Sequence, residues 1–426
     1  FFALKGKKMD GHKFANLAIK KGAIKSVVSK KIKKLSNKKS IKVRNTFHSL
    51  NTLARVTRNN SQAKIIGITG SVGKTTLKNL LAFALQNYGK IYFSPRSYNN
   101  KYGVPVSLSN LKSNTKFGVF EIGMDKKGEI DNLSKLVRPD IGIITNVAEA
   151  HFKNFATLKD IAKAKGEIIK NILDEGSLIL NKDDRFYKFF LNQAKRKKLN
   201  VISFSLNKKA DISLINIKKI NKNYRIKISI NNDIFYFNTS ISTKNFIFNL
   251  LACISILHVL DLNLNVMKEK FKKFKIPTGR GDIKIISKFN KKFKFIDESY
   301  NANPLSMKSA IDNMNHYKTK GRGRKLIFLG DMLELGQKSK NLHKKLSGII
   351  NNSDIDKVFV YGNYIKETFN RLFLKKKGKV FNNLEEAYNH FAKIIHNNDL
   401  LMVKGSNATG LNQFSKNIKK EKISAI

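Results

Sequence analysis

Apolar residues in this chain fall into short continuous runs separated by stretches of helical spacing, and that alternation predicts the architecture. Lys64 to Ile68 reads as a buried strand. Leu77, Leu80, Leu81, Ala84 and Leu85 then recur at i, i+3, i+4, i+7 and i+8, the face of a helix that Gly89 is expected to end. Further strands are predicted at 117 to 123, 140 to 147 and 177 to 181, which implies βαβ units and a largely parallel sheet. Asn245 to Leu260 is the most membrane-like segment, but Asn249, Ser255 and His258 interrupt it, so a buried helix of a soluble protein is expected. Pro277-Thr278-Gly279 breaks the chain after a Lys/Phe-rich helix. A second α/β pattern follows, with strands at 293 to 297, 325 to 330, 357 to 361 and 400 to 404.

The fold class is therefore α/β in three domains: residues 1 to 62, a central domain at 63 to 278 with a mostly parallel sheet, and a Rossmann-like C-terminal domain at 279 to 426. The chain opens at Phe1 without a methionine, and the first domain is expected to be incomplete. No tandem repeat or long low-complexity tract interrupts the pattern.

Composition adds one puzzle and one simplification. Lys and Arg number 83 against 30 Asp and Glu, a formal charge of +53. Such a balance ordinarily signals nucleic acid or a membrane surface. Here lysines are spread over the whole chain, alternate with Ile and Asn and far outnumber arginines, the mark of general compositional drift. The expectation is salt-sensitive attraction to polyanions without a specific nucleic-acid partner, and a field that favours anionic substrates. The simplification is Cys253, the only cysteine: an intrachain disulfide is excluded, and a reducing, cytoplasmic location is expected.

Chemistry concentrates first at residues 65 to 76, IIGITGSVGKTT, a strand, a glycine-rich turn and a helix start. Glycines let backbone N–H groups crowd round phosphate oxygens, and a helix N-terminus adds partial positive charge. Lys74 is placed to reach β/γ-phosphates and Thr75 to hold Mg²⁺. The general GxxxxGK[ST] loop has glycine where Ile68 stands, so this is the shorter TGxxGKT form. Glu121 ends the next apolar strand, and in a parallel sheet it emerges at the same carboxyl edge, where it can bind Mg²⁺ or cap the strand. His151, in the polar loop NVAEAHF after another buried strand, reaches that edge too, as a structural or a catalytic residue.

TGSVGKT at 69 to 75, NNKYGVP at 99 to 105, EIGM at 121 to 124, TNVAEAHF at 145 to 152, AKAKGEI at 162 to 168, DESYNANP at 297 to 304, GDMLELG at 330 to 336 and VKGS at 403 to 406 together resemble the Mur ligase superfamily, in order and over almost the whole chain. SYNANP with GDMLELG, and NNxxGVP after the P-loop helix, favour the member that adds D-alanyl-D-alanine to UDP-N-acetylmuramoyl-tripeptide. The opening FFALKGKKMDGHKF is similar to that enzyme's uridine-nucleotide-binding domain. The resemblance implies an ATP- and Mg²⁺-dependent, monomeric, cytoplasmic amide ligase of peptidoglycan precursor synthesis that works through an acyl phosphate.

It also implies roles. Thr69, Gly70, Ser71, Val72, Gly73, Lys74, Thr75 and Thr76 would cradle ATP, joined by Asn249 at a helix start near adenine, Arg280 at the domain boundary, and Asp297 or, better aligned, Glu298 near the ribose. Thr75, Glu121 and His151 would hold magnesium. Lys165 matches a lysine that is carbamylated in related ligases and so becomes an anionic magnesium ligand, with Lys163 as a nearby decoy. Asn99, Asn100 and Gly103 would belong to the muramoyl-binding loop. Tyr300, Asn301, Asn303 and Asp331, with Glu334, would meet the acceptor or simply stabilise their loops. After Lys404-Gly405-Ser406 the family's usual arginine is Asn407, which removes one expected carboxylate contact. The rival readings are a sister ligase or folylpolyglutamate-type synthase, and a P-loop nucleic-acid-binding ATPase.

Overall fold

A computed structural model describes residues 1–6 and 9–420. The first unit contains α1 (Ala15–Lys20), two parallel strands β1 (Ser26–Val28) and β2 (Ser40–Lys42), and α2 (Thr46–Asn59). Arg58 ties α2 to the next unit: its Nε donates to Val137 O at 2.8 Å and Nη2 to Arg138 O at 2.7 Å.

The central unit runs β3 (Lys64–Thr69), α3 (Lys74–Leu85), β4 (Ile91–Phe93), α4 (Gly103–Ser109), β5 (Phe117–Glu121), α5 (Glu129–Val137), β6 (Ile141–Ile144), α6 (Leu158–Lys170), β7 (Ser177–Asn181), α7 (Tyr187–Arg196) and β8 (Asn200–Ser205). It continues through β9 (Ile212–Ile220), β10 (Asn223–Ile230), β11 (Asp233–Thr239) and α8 (Lys244–Val259). All these strands form one sheet in the order β11-β10-β9-β8-β7-β6-β3-β5-β4, parallel from β4 to β9 and antiparallel beyond. Ile66, Ile68 and Val119 pack under α3 and α8 on one face, while Ile65, Phe120 and Ile144 pack under α5 and α6 on the other. Burial on both faces explains why these strands read as unbroken apolar runs. β3 lies between β5, reached on one side, and β6 on the other, so its carboxyl end is the topological switch point where α/β sheets bind ligands.

The last unit holds β12 (Asp282–Lys288), β13 (Lys291–Glu298), α9 (Pro304–His316), β14 (Lys325–Gly330), α10 (Ser339–Asn351), β15 (Lys357–Tyr361), α11 (Lys366–Asn370), β16 (Lys377–Phe381), α12 (Leu384–Ile394), β17 (Leu400–Lys404) and α13 (Leu411–Lys419). Its sheet order is β12-β13-β17-β14-β15-β16, parallel except for the β12–β13 hairpin.

Several details differ from the sequence-based expectations. α3 ends at Leu85, and a turn intervenes before Gly89. The β9–β11 ribbon and strands β1, β2, β4, β8, β12 and β16 lie outside the runs that the sequence pattern marks as strands. Asn231 and Asn232, both at positive φ (49° and 78°), make the two-residue turn between β10 and β11. Paired left-handed residues suit the twist of a tight hairpin, and asparagine tolerates them better than most residues. Among the described residues no helix is long and apolar enough to cross a membrane; Asn245 to Leu260 lies almost wholly in α8, with Asn249 and Ser255 buried.

Candidate active site

The switch point opens into a cleft of about 940 Å³ between the central and last units. β3 delivers the turn 70–73, and Gly73 caps α3 at φ 93°. Gly70 sits at φ 144°, and a Cβ there would fall 1.8 Å from Thr145 Oγ1, so only glycine lets the turn lie this close to the end of β6. Asn146, which sequence reasoning assigned no role, braces the turn: it accepts from Ser71 N at 3.0 Å through its carbonyl and from Val72 N at 2.9 Å through Oδ1. Ser71 and Val72 therefore line the cleft with these two N–H groups already engaged. Thr69 does not line it, being fully buried at the end of β3.

Lys74 faces the cleft and donates to Gly70 O at 2.6 Å. Burial lowers its pKa, with Glu121 opposing the shift and Arg280 adding to it. Glu121, the last residue of β5, is 1% exposed, so it is no solvent-facing cap. Its Oε2 accepts from Thr75 Oγ1 at 2.9 Å and its Oε1 from Asn99 Nδ2 at 2.8 Å. Two oxygens at this spacing suit neighbouring positions round an octahedral cation whose bonds are about 2.1 Å. No group of three or more His, Cys, Asp or Glu that could hold a metal exists among the described residues. Magnesium commonly takes one or two carboxylates with phosphate and water, so the Thr75–Glu121 pair fits it.

Arg280 closes this corner from the domain boundary. Its Nη2 donates to Thr75 Oγ1 at 3.0 Å, and its guanidinium lies 3.8 Å from the centre of the Tyr300 ring. Burial lowers its pKa and Glu121 opposes the shift. Glu298 accepts from Lys404 Nζ at 3.2 Å, and Lys404 also donates to Asn301 O at 3.1 Å, so the KGS segment anchors both neighbours at the cleft. Asp297, the alternative to Glu298, is buried with Lys419 and Ser299 instead.

Lys165 and Lys163 separate cleanly on α6. Lys163 is exposed, whereas Lys165 is 2% exposed overall and lines the cleft. Burial drives the Lys165 pKa well down, the charge of Lys74 adds to this, and Asp184 opposes it. His151 also faces the cleft at φ 59°. Its Nδ1 is 2.8 Å from Glu334 Oε2, at an angle that leaves the nitrogen without an aligned hydrogen bond. Loop 334–338 is thus seated on loop 151–156: Lys153 N donates to Glu334 O at 3.0 Å, and Lys338 Nζ donates to Ala156 O at 2.7 Å while lying 4.0 Å from the Phe152 ring centre.

Other expectations need correction. Asn249 is in the second turn of α8, not at its start; Nδ2 donates to Asn245 O at 2.7 Å, and its unpartnered Oδ1 faces the Gly73 turn. Asn303 caps α9 by accepting from Ser306 N at 2.8 Å, although it borders the cleft. Asn100 Oδ1 accepts from Tyr102 N and Gly103 N and so shapes its own loop; Gly103 lies off the cleft, packed against the Tyr98 backbone. Asp331 is away from the cleft as well. Its carboxylate accepts from Asn363 N, Tyr364 N and Ile365 N at 2.7 to 3.0 Å. Asp331→Ala should therefore cost about 3 kcal/mol of stability by denaturant titration, from stranded donors, while leaving acceptor KM unchanged; a selective rise in that KM would return Asp331 to the acceptor site.

Comparison with known proteins gives the family. The family model for the Mur ligase middle domain matches residues 68–257, and that for the Mur ligase, glutamate ligase domain matches residues 283–407. A Rickettsia prowazekii protein named UDP-N-acetylmuramoyl-tripeptide–D-alanyl-D-alanine ligase is 33% identical over 414 residues, 97% of this chain and 90% of that protein. The chain belongs to the Mur ligase family. Among solved structures, MurF ligase from Thermotoga maritima in complex with ADP is similar at TM-score 0.83 and 25% identity, covering 99% of this chain and 94% of that one. MurF from Acinetobacter baumannii shares the fold at TM-score 0.86 and 24% identity, covering 99% and 90%.

Proposed function

We propose that this chain joins D-alanyl-D-alanine to UDP-N-acetylmuramoyl-tripeptide with cleavage of ATP to ADP and phosphate, acting as a monomer in the cytoplasm. The observation that carries the reading is the similarity to proteins of that name along nearly the entire chain. The cleft supports it independently, because buried cations, a buried carboxylate and a P-loop converge where three anionic groups must meet.

Residues 1 to 62 belong to the donor's uridine nucleotide, 63 to 278 to ATP and 279 to 426 to the acceptor and to closure. The tripeptide carboxylate attacks the γ-phosphorus, forming an acyl phosphate and releasing ADP. The amine of D-alanyl-D-alanine then attacks the acyl carbon, expels phosphate and loses a proton. Lys74 and Arg280 offset negative charge gathering on the transferred group, while the Gly70–Gly73 turn and the start of α3 orient the phosphates. Thr75 and Glu121, joined by His151 and a carbamylated Lys165, would hold magnesium, which supplies charge neutralisation between carboxylate and phosphate. Asn249 borders the nucleotide, and Glu298 lies near its ribose. Asn99 and Asn100 stand on the donor side. Tyr300 and Asn301 stand on the acceptor side, with Tyr300 also fixing Arg280. Most of the acceleration comes from positioning and charge, since phosphoryl transfer leaves the protein little covalent work.

The test is phosphate release from MgATP. Release should require both the UDP-muramoyl tripeptide and D-alanyl-D-alanine; release driven instead by one free amino acid would assign the chain to a sister ligase. Stimulation by nucleic acid alone would sink the reading altogether.

A further inference from the structure

Lys78 lies one turn beyond Lys74 on α3, and it is 0% exposed and does not line the cleft. Burying an ammonium is costly unless it is paired and hydrogen-bonded. Phosphate chemistry does not call for this one, since Lys74 already faces the cleft. Its surroundings supply the explanation. Lys78 Nζ donates to the backbone carbonyl of Arg96 and stands 3.8 Å from Glu121 Oε2. Arg96 is held at φ 45°, and the next residue, Ser97, has its hydroxyl 3.4 Å from both Thr75 Oγ1 and Arg280 Nη2. Ser94, on the same turn, accepts from Glu121 N at 3.3 Å. Lys78 therefore touches, from behind, both the carboxylate and the turn that border the Thr75–Arg280 corner.

We infer that Lys78 is a positioning residue that fixes the Glu121 carboxylate and the 94–97 turn in the arrangement a magnesium–phosphate group requires. It acts on Glu121 directly and through the 94–97 turn, whose Ser94 accepts from Glu121 N, and it does not itself line the cleft. The electrostatics agree: burial lowers the Lys78 pKa, Glu121 opposes that shift, and Arg280 adds to it, so this carboxylate is the counter-charge that keeps the lysine in place. With Lys78 and Asn99 each near one side of the carboxylate, Glu121 has little freedom to rotate away from Thr75.

The inference rests on the nucleotide-site reading above, and binding measurements separate the two. ADP affinity is measured by calorimetry with and without Mg²⁺ for the wild-type protein, Lys78→Met, Glu121→Gln and the double variant. Wild-type protein should bind ADP more tightly when Mg²⁺ is present; a protein that binds no ADP would overturn the site reading itself. Lys78→Met should bind metal-free ADP within about twofold of wild type, while the affinity gained from Mg²⁺ falls about tenfold, the scale of one hydrogen bond to a charged group. In the Glu121→Gln background the same change should add almost nothing, since the residue through which Lys78 acts is already disabled. If Lys78→Met fails to fold, Lys78→Gln, which keeps a donor without a charge, is expected to show the same loss. A wild-type Mg²⁺ gain in the folded variant, or an undiminished loss in the Glu121→Gln background, would overturn the inference.

Discussion

Replacing Lys165 by alanine should lower turnover on the order of 10³-fold, the scale of losing a preorganised charge contact, and short carboxylic acids should restore part of the activity. The expectation follows from where the amine is. Lys165 is buried at the cleft wall, and both burial and the nearby Lys74 charge disfavour its ammonium form. A neutral amine is the form that attacks CO₂; on carbamylation the nitrogen would bond to carbon, one proton would leave, and the side chain would become an anionic carbamate. That exchange turns a misplaced cation into an oxygen donor suited to magnesium. A small carboxylate diffusing into the space left by alanine supplies the same oxygens. Lys163→Ala provides the control, because Lys163 is exposed on the other side of α6 and should be silent. Full activity of Lys165→Ala would sink the assignment; so would carboxylate stimulation equal in variant and wild type.

The second large effect is expected far from the phosphates, at Gly336. This residue is at φ 57° on the loop seated against residues 151–156, and a Cβ there would lie 3.0 Å from Lys153 Cα. Gly336→Val should hold the last unit slightly away from the central one. A misplacement of about 1 Å can cost on the order of 10²-fold in rate, so kcat should fall by about that factor. Binding of MgATP should stay within about twofold, because the P-loop, Thr75 and Glu121 all belong to the central unit. Undiminished kcat would show that this contact is incidental to turnover, and an equal loss of MgATP affinity would show that the substitution had damaged the central unit.

What the sequence made legible was whatever is local or buried on both sides. β3, β5, β6 and β7 read as continuous apolar runs because helices cover both sheet faces. Glu121 and His151 could be placed near one another because parallel strands deliver their carboxyl ends to a common edge, whereas Lys165, inside α6, was singled out only by the family resemblance. The β9–β11 ribbon escaped because its outer positions alternate with lysine and asparagine, and several of its isoleucines stay exposed. Asp331 and Asn303 looked like ligands because polar residues after strands are as suitable for capping neighbouring backbone as for binding substrate. Lys78 was invisible for another reason. Among so many lysines nothing in the string of letters distinguishes a fully buried one, and only its distance to Glu121 does so.

His151 and Glu334 meet across the cleft, and both are non-glycine residues in left-handed backbone, at φ 59° and 65°. Each such conformation costs on the order of 1–3 kcal/mol. The joint between the two units is thus made at two positions where the backbone carries strain, so its geometry is set by the loops that hold both residues rather than by the preference of either residue.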